Sequence, residues 1–305
     1  MSIPVIGPEA EAHLDWLALC DAIEAGHALP RAEVADTFLY RGDDTLLSRA
    51  AWIDGLGQLV KTATIFPDNR ARGLPSVNGS AAVYSDQDGT LAAIVDFHLL
   101  TKWKTAGDSL CAARRLAPEG VGTILIIGAG TVGGSLRDAY GAGFPDARFL
   151  LWNRTRARAE ALAAGWPDTE VVDDLEAAVG RADIVTCATM ATEPVIRGDW
   201  LRPGQHLDLI GAYRPDMREA DDAALRRARV FVDSRETVLG HIGELKIPLE
   251  AGVLTEADVV ADYHDLTAGR FARVSDDEIT LFKNGGGAHL DLMVARYILD
   301  AVAGG

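Results

Sequence analysis

The sequence is short of the residues that would place it in several large functional classes. Its three cysteines, Cys20, Cys111 and Cys187, are widely spaced and odd in number, so neither a disulfide framework nor, without a CxxC pair, a zinc site is indicated. Seven histidines, at positions 13, 27, 98, 206, 241, 264 and 289, never fall at HxH or HxxxH spacing, and no metal is expected. Positive charge is scarce as well. Twenty-nine Lys and Arg against 45 Asp and Glu leave a net charge of −16, and without a basic cluster nucleic acid is not an expected partner, because phosphate binding draws on grouped cations. No apolar run approaches the roughly 18 residues of a membrane helix. The first residues lack a basic start followed by an apolar stretch, so a cytoplasmic protein with no membrane partner is expected.

What is present is the composition of a globular enzyme. Hydrophobic residues make up 48% and charged residues 24% of 305 positions, more chain than one core usually supports, so two domains are expected. Residues 9–27 carry apolar positions at helical spacing, and residues 37–40, 59–65, 81–85 and 91–97 read as short strands separated by turns such as Gly42-Asp43 and Asp88-Gly89. The last two flank a turn and predict a hairpin. Together they predict a small, largely antiparallel sheet followed by a helix over 101–117. After Pro118-Glu119-Gly120 strands alternate with helices: 123–127, 147–152, 170–172, 184–188, 206–210 and 229–232 as strands, with helices at 132–140, 156–164 and 175–179. Such alternation predicts a parallel sheet with right-handed crossovers. A last helix is expected over 290–302. The fold class is therefore α/β: a Rossmann dinucleotide-binding domain over 118–283, and a smaller α+β domain over 1–117 completed by 284–305.

Residues 123–133 read TILIIGAGTVG, placing Gly128, Gly130 and Gly133 in a GxGxxG pattern between a buried strand and a helix. The first glycine permits the turn, the second lets the backbone approach a pyrophosphate, and the third lets helix and strand pack. Free N–H groups at the helix start, including those of Thr131 and Val132, offer positive partial charge to phosphates. The second strand ends in Asn153-Arg154-Thr155, where an NAD enzyme usually carries an acid for the ribose hydroxyls. With no acid there, Arg154 is available for charge-assisted bonds to a 2′-phosphate and Thr155 for one more. NADP(H) is the expected cofactor and NAD(H) the alternative. In so acidic a chain, the isolated cations Lys61, Lys102 and Lys104 are candidate anion sites, though each could equally be solvated surface.

Several segments together resemble the ornithine cyclodeaminase/mu-crystallin family from about residue 45 to 300: LVKTATIFPDN around Lys61, DFHLLTKWKTAGDSLCAARRLA, IIGAGTVG, WNRT, ATEP at 191–194, GAYRPDMREAD at 211–221, GEL at 243–245 and FKNGGGAHLD at 282–291. The resemblance implies a homodimer whose N-terminal domain, with the C-terminal helix, builds the interface and the substrate pocket. It implies enzymes that interconvert small amino acids and their imines, or cyclise ornithine with recycled NAD. It points to Lys61 and Lys104 as catalytic residues, to Asn78, Thr105 and Tyr213 as substrate contacts, and to Thr189 and Asp291 beside the cofactor. Ser80, His98 and His289 lie in or near matching segments. The WNRT segment matches the NADPH-using mu-crystallin branch.

Two positions depart from the pattern. Lys104 stands where the family arginine grips the substrate carboxylate, which keeps the charge and loses the planar fork. Tyr213 stands where cyclodeaminases carry an aspartate, and a phenol is a poor base at neutral pH. The resulting expectation is an NADPH-dependent reductase of a small cyclic α-imino acid, Δ1-pyrroline-2-carboxylate or its six-membered homologue. An ornithine cyclodeaminase and a mu-crystallin-like binding protein are the alternatives.

Overall fold

The computed structural model describes residues 3–304. The chain divides into two compact units, one built from the residues up to Lys104 and from Gly287 onward, the other from Thr105 to Gly286.

The first unit contains six strands: β1 (Val5–Ile6), β2 (Glu33–Arg41), β3 (Asp44–Ile53), β4 (Gly57–Ile65), β5 (Val77–Tyr84) and β6 (Leu91–Asp96). They form one sheet in the order β1-β6-β5-β4-β3-β2, antiparallel except for the short parallel pair of β1 with β6. The helix α1 (Trp16–His27) starts at Asp15, whose carboxylate accepts bonds from the N–H groups of Leu17 and Ala18, a side-chain N-cap. The expected β5–β6 hairpin forms. Strand β3 was not expected: its residues are mostly half-buried and Arg49 interrupts the apolar alternation that marks a strand.

The following helix, α2 (Phe97–Leu116), begins four residues earlier than the sequence predicts. Asp96 explains this, because its carboxylate accepts the N–H of Leu99 at 2.8 Å and caps the helix there. Lys104 therefore lies two turns inside the helix. The units exchange between Lys104 and Thr105, within unbroken helix, whereas the sequence reading places the boundary at the Pro118 loop.

The second unit alternates β7 (Thr123–Ile127), α3 (Thr131–Gly143), β8 (Arg148–Trp152), α4 (Arg156–Ala163), β9 (Thr169–Val171), α5 (Leu175–Arg181), β10 (Ile184–Cys187) and β11 (His206–Leu209). It continues through α6 (Asp222–Arg227), β12 (Ala228–Val232), α7 (Arg235–Val238), α8 (Gly243–Glu250), β13 (Val259–Ala261) and β14 (Ile279–Lys283). All eight strands are parallel, in the order β13-β12-β14-β11-β10-β7-β8-β9. Strand order reverses direction between β7 and β10, which is where a doubly wound sheet opens a crevice at its carboxyl edge. No strand is predicted after 229–232, yet that stretch supplies β13 and also β14, which is wholly buried between β11 and β12. A strand covered on both faces shows no alternation. Leu125, Ile127, Val185, Leu207, Leu209 and Leu281 fill the core on one side of the sheet.

The final helix, α9 (Ala288–Gly304), belongs to the first unit and packs on α1 and on β2, β3, β4 and β5. Among the described residues no helix is long and apolar enough to cross a membrane, and no group of three or more His, Cys, Asp or Glu side chains could hold a metal ion.

Candidate active site

In β4 the inward positions alternate as Leu59, Lys61 and Ala63, so Lys61 occupies a core position of a strand that would otherwise be apolar. Its ammonium donates to the Asp291 carboxylate at 2.8 Å and to the Thr101 hydroxyl at 3.0 Å, and lies 4.8 Å from the centre of the Phe97 ring. Two of its three donors are thereby committed. Asp291 sits in the first turn of α9 and is fully buried. Burial alone would push its carboxyl up, but Lys61, Lys104 and Arg49 together hold it below the ordinary aspartate range. Burial pushes Lys61 down; Asp291 opposes this, Lys104 and Arg49 add to it, and the net shift is downward.

Arg49, on β3 directly opposite Lys61, is a member of this cluster that the sequence reading missed. Its guanidinium lies 3.6 Å from Asp291 and 2.7 Å from Asp36. The strand pairing aligns Arg49 with Lys61, and without β3 in the sequence reading there was no register to reveal it. Lys104 is 8% exposed and makes no hydrogen bond or ion pair among the described residues. Three cations, Arg49, Lys61 and Lys104, thus gather around the Asp291 carboxylate, with Arg49 also paired to Asp36. Positive charge concentrated around one buried carboxylate would stabilise a small anion.

The second unit builds the glycine loop between β7 and α3. Gly128 has φ +115°, and a side chain on it would meet the Ala188 carbonyl at 2.7 Å; one on Gly133 would meet the Gly128 carbonyl at 2.0 Å. Gly130, the N-cap of α3, has no neighbour within 4 Å of an added Cβ and no side-chain cap. The start of a 13-residue helix therefore presents its free N–H groups to open space, which fits a dinucleotide pyrophosphate. Asn153 braces the loop: its carbonyl oxygen accepts the Ala129 N–H at 3.1 Å and its amide donates to the Thr155 carbonyl at 2.9 Å. Arg154 is exposed and has no hydrogen-bond or ion-pair partner among the described residues. Thr155 is the N-cap of α4 without a side-chain bond.

The remaining candidates are placed as follows. Thr189 follows β10 and gives both its N–H and its hydroxyl to Glu219. Asn78, on β5, donates to the Pro75 carbonyl, and Thr105 follows Lys104 on α2. Tyr213 is exposed in the loop after β11. Ser80 and His98 are also exposed, and His289 is buried with its ring edge-on to His27. Asp291, expected beside the cofactor, is engaged within the first unit by Lys61 and Arg49.

The imbalance of charge makes a prediction about stability. Asp291→Asn should lower the Tm of the ligand-free protein by on the order of 10 °C, because removing one partner of a buried ion pair strands the other. Lys104→Met should leave the Tm unchanged or raise it, since the cost of burying an ammonium with no hydrogen bond or ion pair among the described residues, and its repulsion from Lys61, outweigh its attraction to Asp291. Scanning calorimetry separates the two, and a comparable loss in both variants would make Lys104 a structural residue.

Residues 54–305 match the ornithine cyclodeaminase/mu-crystallin family. A Delta(1)-pyrroline-2-carboxylate reductase of Paracoccus denitrificans is 51% identical over 302 residues, covering 97% of this chain and 96% of that protein. Among solved structures, the Thermococcus litoralis Delta(1)-pyrroline-2-carboxylate reductase in complex with NADH and L-proline superposes with a TM-score of 0.91 at 25% identity, covering 99% of this chain and 98% of that one. An archaeal alanine dehydrogenase dimer with bound NAD gives a TM-score of 0.90 at 25% identity, covering 100% and 97%. The chain belongs to the ornithine cyclodeaminase/mu-crystallin family.

Proposed function

We propose that the chain is a nicotinamide-dependent reductase that converts Δ1-pyrroline-2-carboxylate to proline. The observation that carries this is the buried Lys104 ammonium, which makes no hydrogen bond or ion pair among the described residues and stands with Lys61 and Arg49 around one buried carboxylate, Asp291. It offers a carboxylate the counter-ion it needs. The resemblance over 97% of the chain to a protein of this activity supplies the substrate class.

Lys104 holds the substrate carboxylate by charge-assisted bonds from a point charge, without the two-pronged clamp of an arginine. Lys61 is held by Asp291 and Thr101, so one N–H remains to face the imine nitrogen. Its lowered pKa makes it a better acid than a free lysine, and it gives a proton to that nitrogen and regains one from solvent. Asp291 keeps the side chain oriented and charged. Thr105 and Asn78 are proposed to orient the ring, and Tyr213 to line the site without acting as a base. Gly128, Gly130, Thr131, Val132 and Gly133 hold the pyrophosphate, with Asn153 bracing the loop. When bound, a reduced nicotinamide would supply the hydride for reduction of the imine carbon.

The test is a panel of cyclic and open-chain imino acids and of ornithine, followed by loss of reduced-nicotinamide absorbance and by ammonia release. The five-membered imino acid is expected to be reduced fastest, with Lys104→Met raising KM and lowering kcat/KM by about one to three orders of magnitude. Formation of proline and ammonia from ornithine without added cofactor would overturn the reading and favour a cyclodeaminase. The carboxylate missing at Tyr213 argues against that outcome.

The phosphorylated cofactor is preferred in this reading, because Arg154 is exposed and unpaired where a 2′-phosphate would lie and no acid replaces it. Arg154→Asp is expected to reverse the ratio of kcat/KM for NADPH over NADH; an unchanged ratio would remove Arg154 from the cofactor site.

The chain is further proposed to form a homodimer through the first unit. Every residue of edge strand β2 is exposed, including Val34, Phe38, Leu39 and Tyr40, and Phe38 and Tyr40 stack on one face. A long apolar edge of this kind is normally covered in a stable protein. Sedimentation of the Phe38→Glu, Tyr40→Glu double variant is expected to show monomer where the parent shows dimer.

A further inference from the structure

The second unit holds a buried carboxylate that the phosphate loop does not use. Glu219, in the segment after β11, is fully buried, and its two oxygens serve different loops. Oε1 accepts the N–H and the hydroxyl of Thr189, at 2.7 and 3.0 Å, from the segment that follows β10. Oε2 accepts the N–H groups of Gly211 and Ala212, at 2.6 and 3.3 Å, from the segment that follows β11. The two segments touch, since a side chain on Gly211 would lie 1.9 Å from the Thr189 carbonyl. The first of them also forms the wall behind the glycine loop: an added Cβ on Gly128 would meet the Ala188 carbonyl at 2.7 Å and the Thr189 methyl at 3.6 Å.

Glu219 is itself anchored from beneath. The N–H groups of Glu219 and Ala220 donate to the Glu244 carboxylate at 2.6 and 3.0 Å, from the first turn of α8. Burial and the neighbouring Glu219 charge push Glu244 up to about 7, with Lys283 and the two backbone donors opposing. Two carboxyl groups adjacent in a protein interior are a costly arrangement that an apolar contact would avoid.

We propose that Glu219 is a positioning residue for the nicotinamide half of the bound dinucleotide, acting through Thr189 and Gly211 by fixing the post-β10 segment against the glycine loop. The proposal rests on the reading of that loop as a dinucleotide site. Because Glu219 takes both donors of Thr189, that threonine contributes position rather than hydrogen-bond donors. The adenosine half has separate support in Asn153 and Arg154, which follow β8 on the other side of β7 from β10 and do not touch Glu219.

This division gives the test. Binding of the whole reduced dinucleotide and of the ADP-ribose fragment of the same phosphorylation state is measured by fluorescence and calorimetry for the parent, Glu219→Gln and Thr189→Val, with hydrogen exchange on the cofactor-free proteins. In Glu219→Gln the amide group must face at least one N–H donor. The expected result is faster exchange at Thr189, Gly211 and Ala212, on the order of tenfold weaker dinucleotide binding and unchanged fragment binding. Thr189→Val removes the 3.0 Å bond to Glu219 and the 3.7 Å contact with the Cys187 thiol, keeps the N–H bond to Glu219, and is expected to weaken the dinucleotide by a few-fold, again without affecting the fragment; it carries the test if Glu219→Gln does not fold. Equal losses for dinucleotide and fragment, or no loss for either, would overturn the proposal and leave Glu219 a general structural residue. Failure of the parent to bind any dinucleotide would instead overturn the reading of the glycine loop.

Discussion

The first unit depends on a buried ion pair between a strand and the helix that returns from the far end of the chain. Lys61 on β4 and Asp291 on α9 are 230 positions apart and 2.8 Å from each other. Neither charge could be left in the interior alone, since the cost of a buried unpaired ion exceeds the stabilisation of most single contacts. The pair thus ties the C-terminal segment to the sheet and at the same time creates an interior where further cations can be tolerated. Arg49 and Lys104 use that tolerance. One negative charge at Asp291 spreads over three positive neighbours, and the excess is what a substrate carboxylate would neutralise.

The second unit solves a different problem with backbone groups instead of side-chain charge. The open space before Gly130 and the free N–H groups of α3 suit a diffuse anion such as pyrophosphate. Glu219 and Asn153 are the side chains that hold the surrounding segments, and both do so by accepting backbone N–H groups. A carboxylate that receives several such bonds is firmly fixed, which suits a role in setting the shape of a site. In each unit, then, a buried acid organises the groups around it without itself being the reacting partner.

How much of this was legible beforehand differs between local and distant features. The glycine loop was readable because its three glycines, strand and helix lie together within residues 123–143, and each glycine answers to a steric demand that a single sequence window displays. Lys61 and Lys104 were singled out by matching segments, and the structure brings both into Coulombic contact with Asp291. Arg49 was not found, because its importance comes from pairing with Lys61 across β3 and β4. Glu219 and Glu244 lie in matching segments, but nothing local distinguishes them from the many other acids of the chain, and only their burial reveals the demand for N–H donors around them.

The sequence by itself determined the α/β class, the alternation of the parallel sheet and the phosphate loop, since these follow from local periodicity and from backbone geometry that only glycine allows. Tertiary structure alone decided that β14 enters the sheet between β11 and β12 and that Asp291 joins Lys61. Both outcomes are set by partners far away in the chain. Periodicity within one window carries no record of which distant strand will supply the missing hydrogen bonds, or of which distant acid will balance a buried lysine.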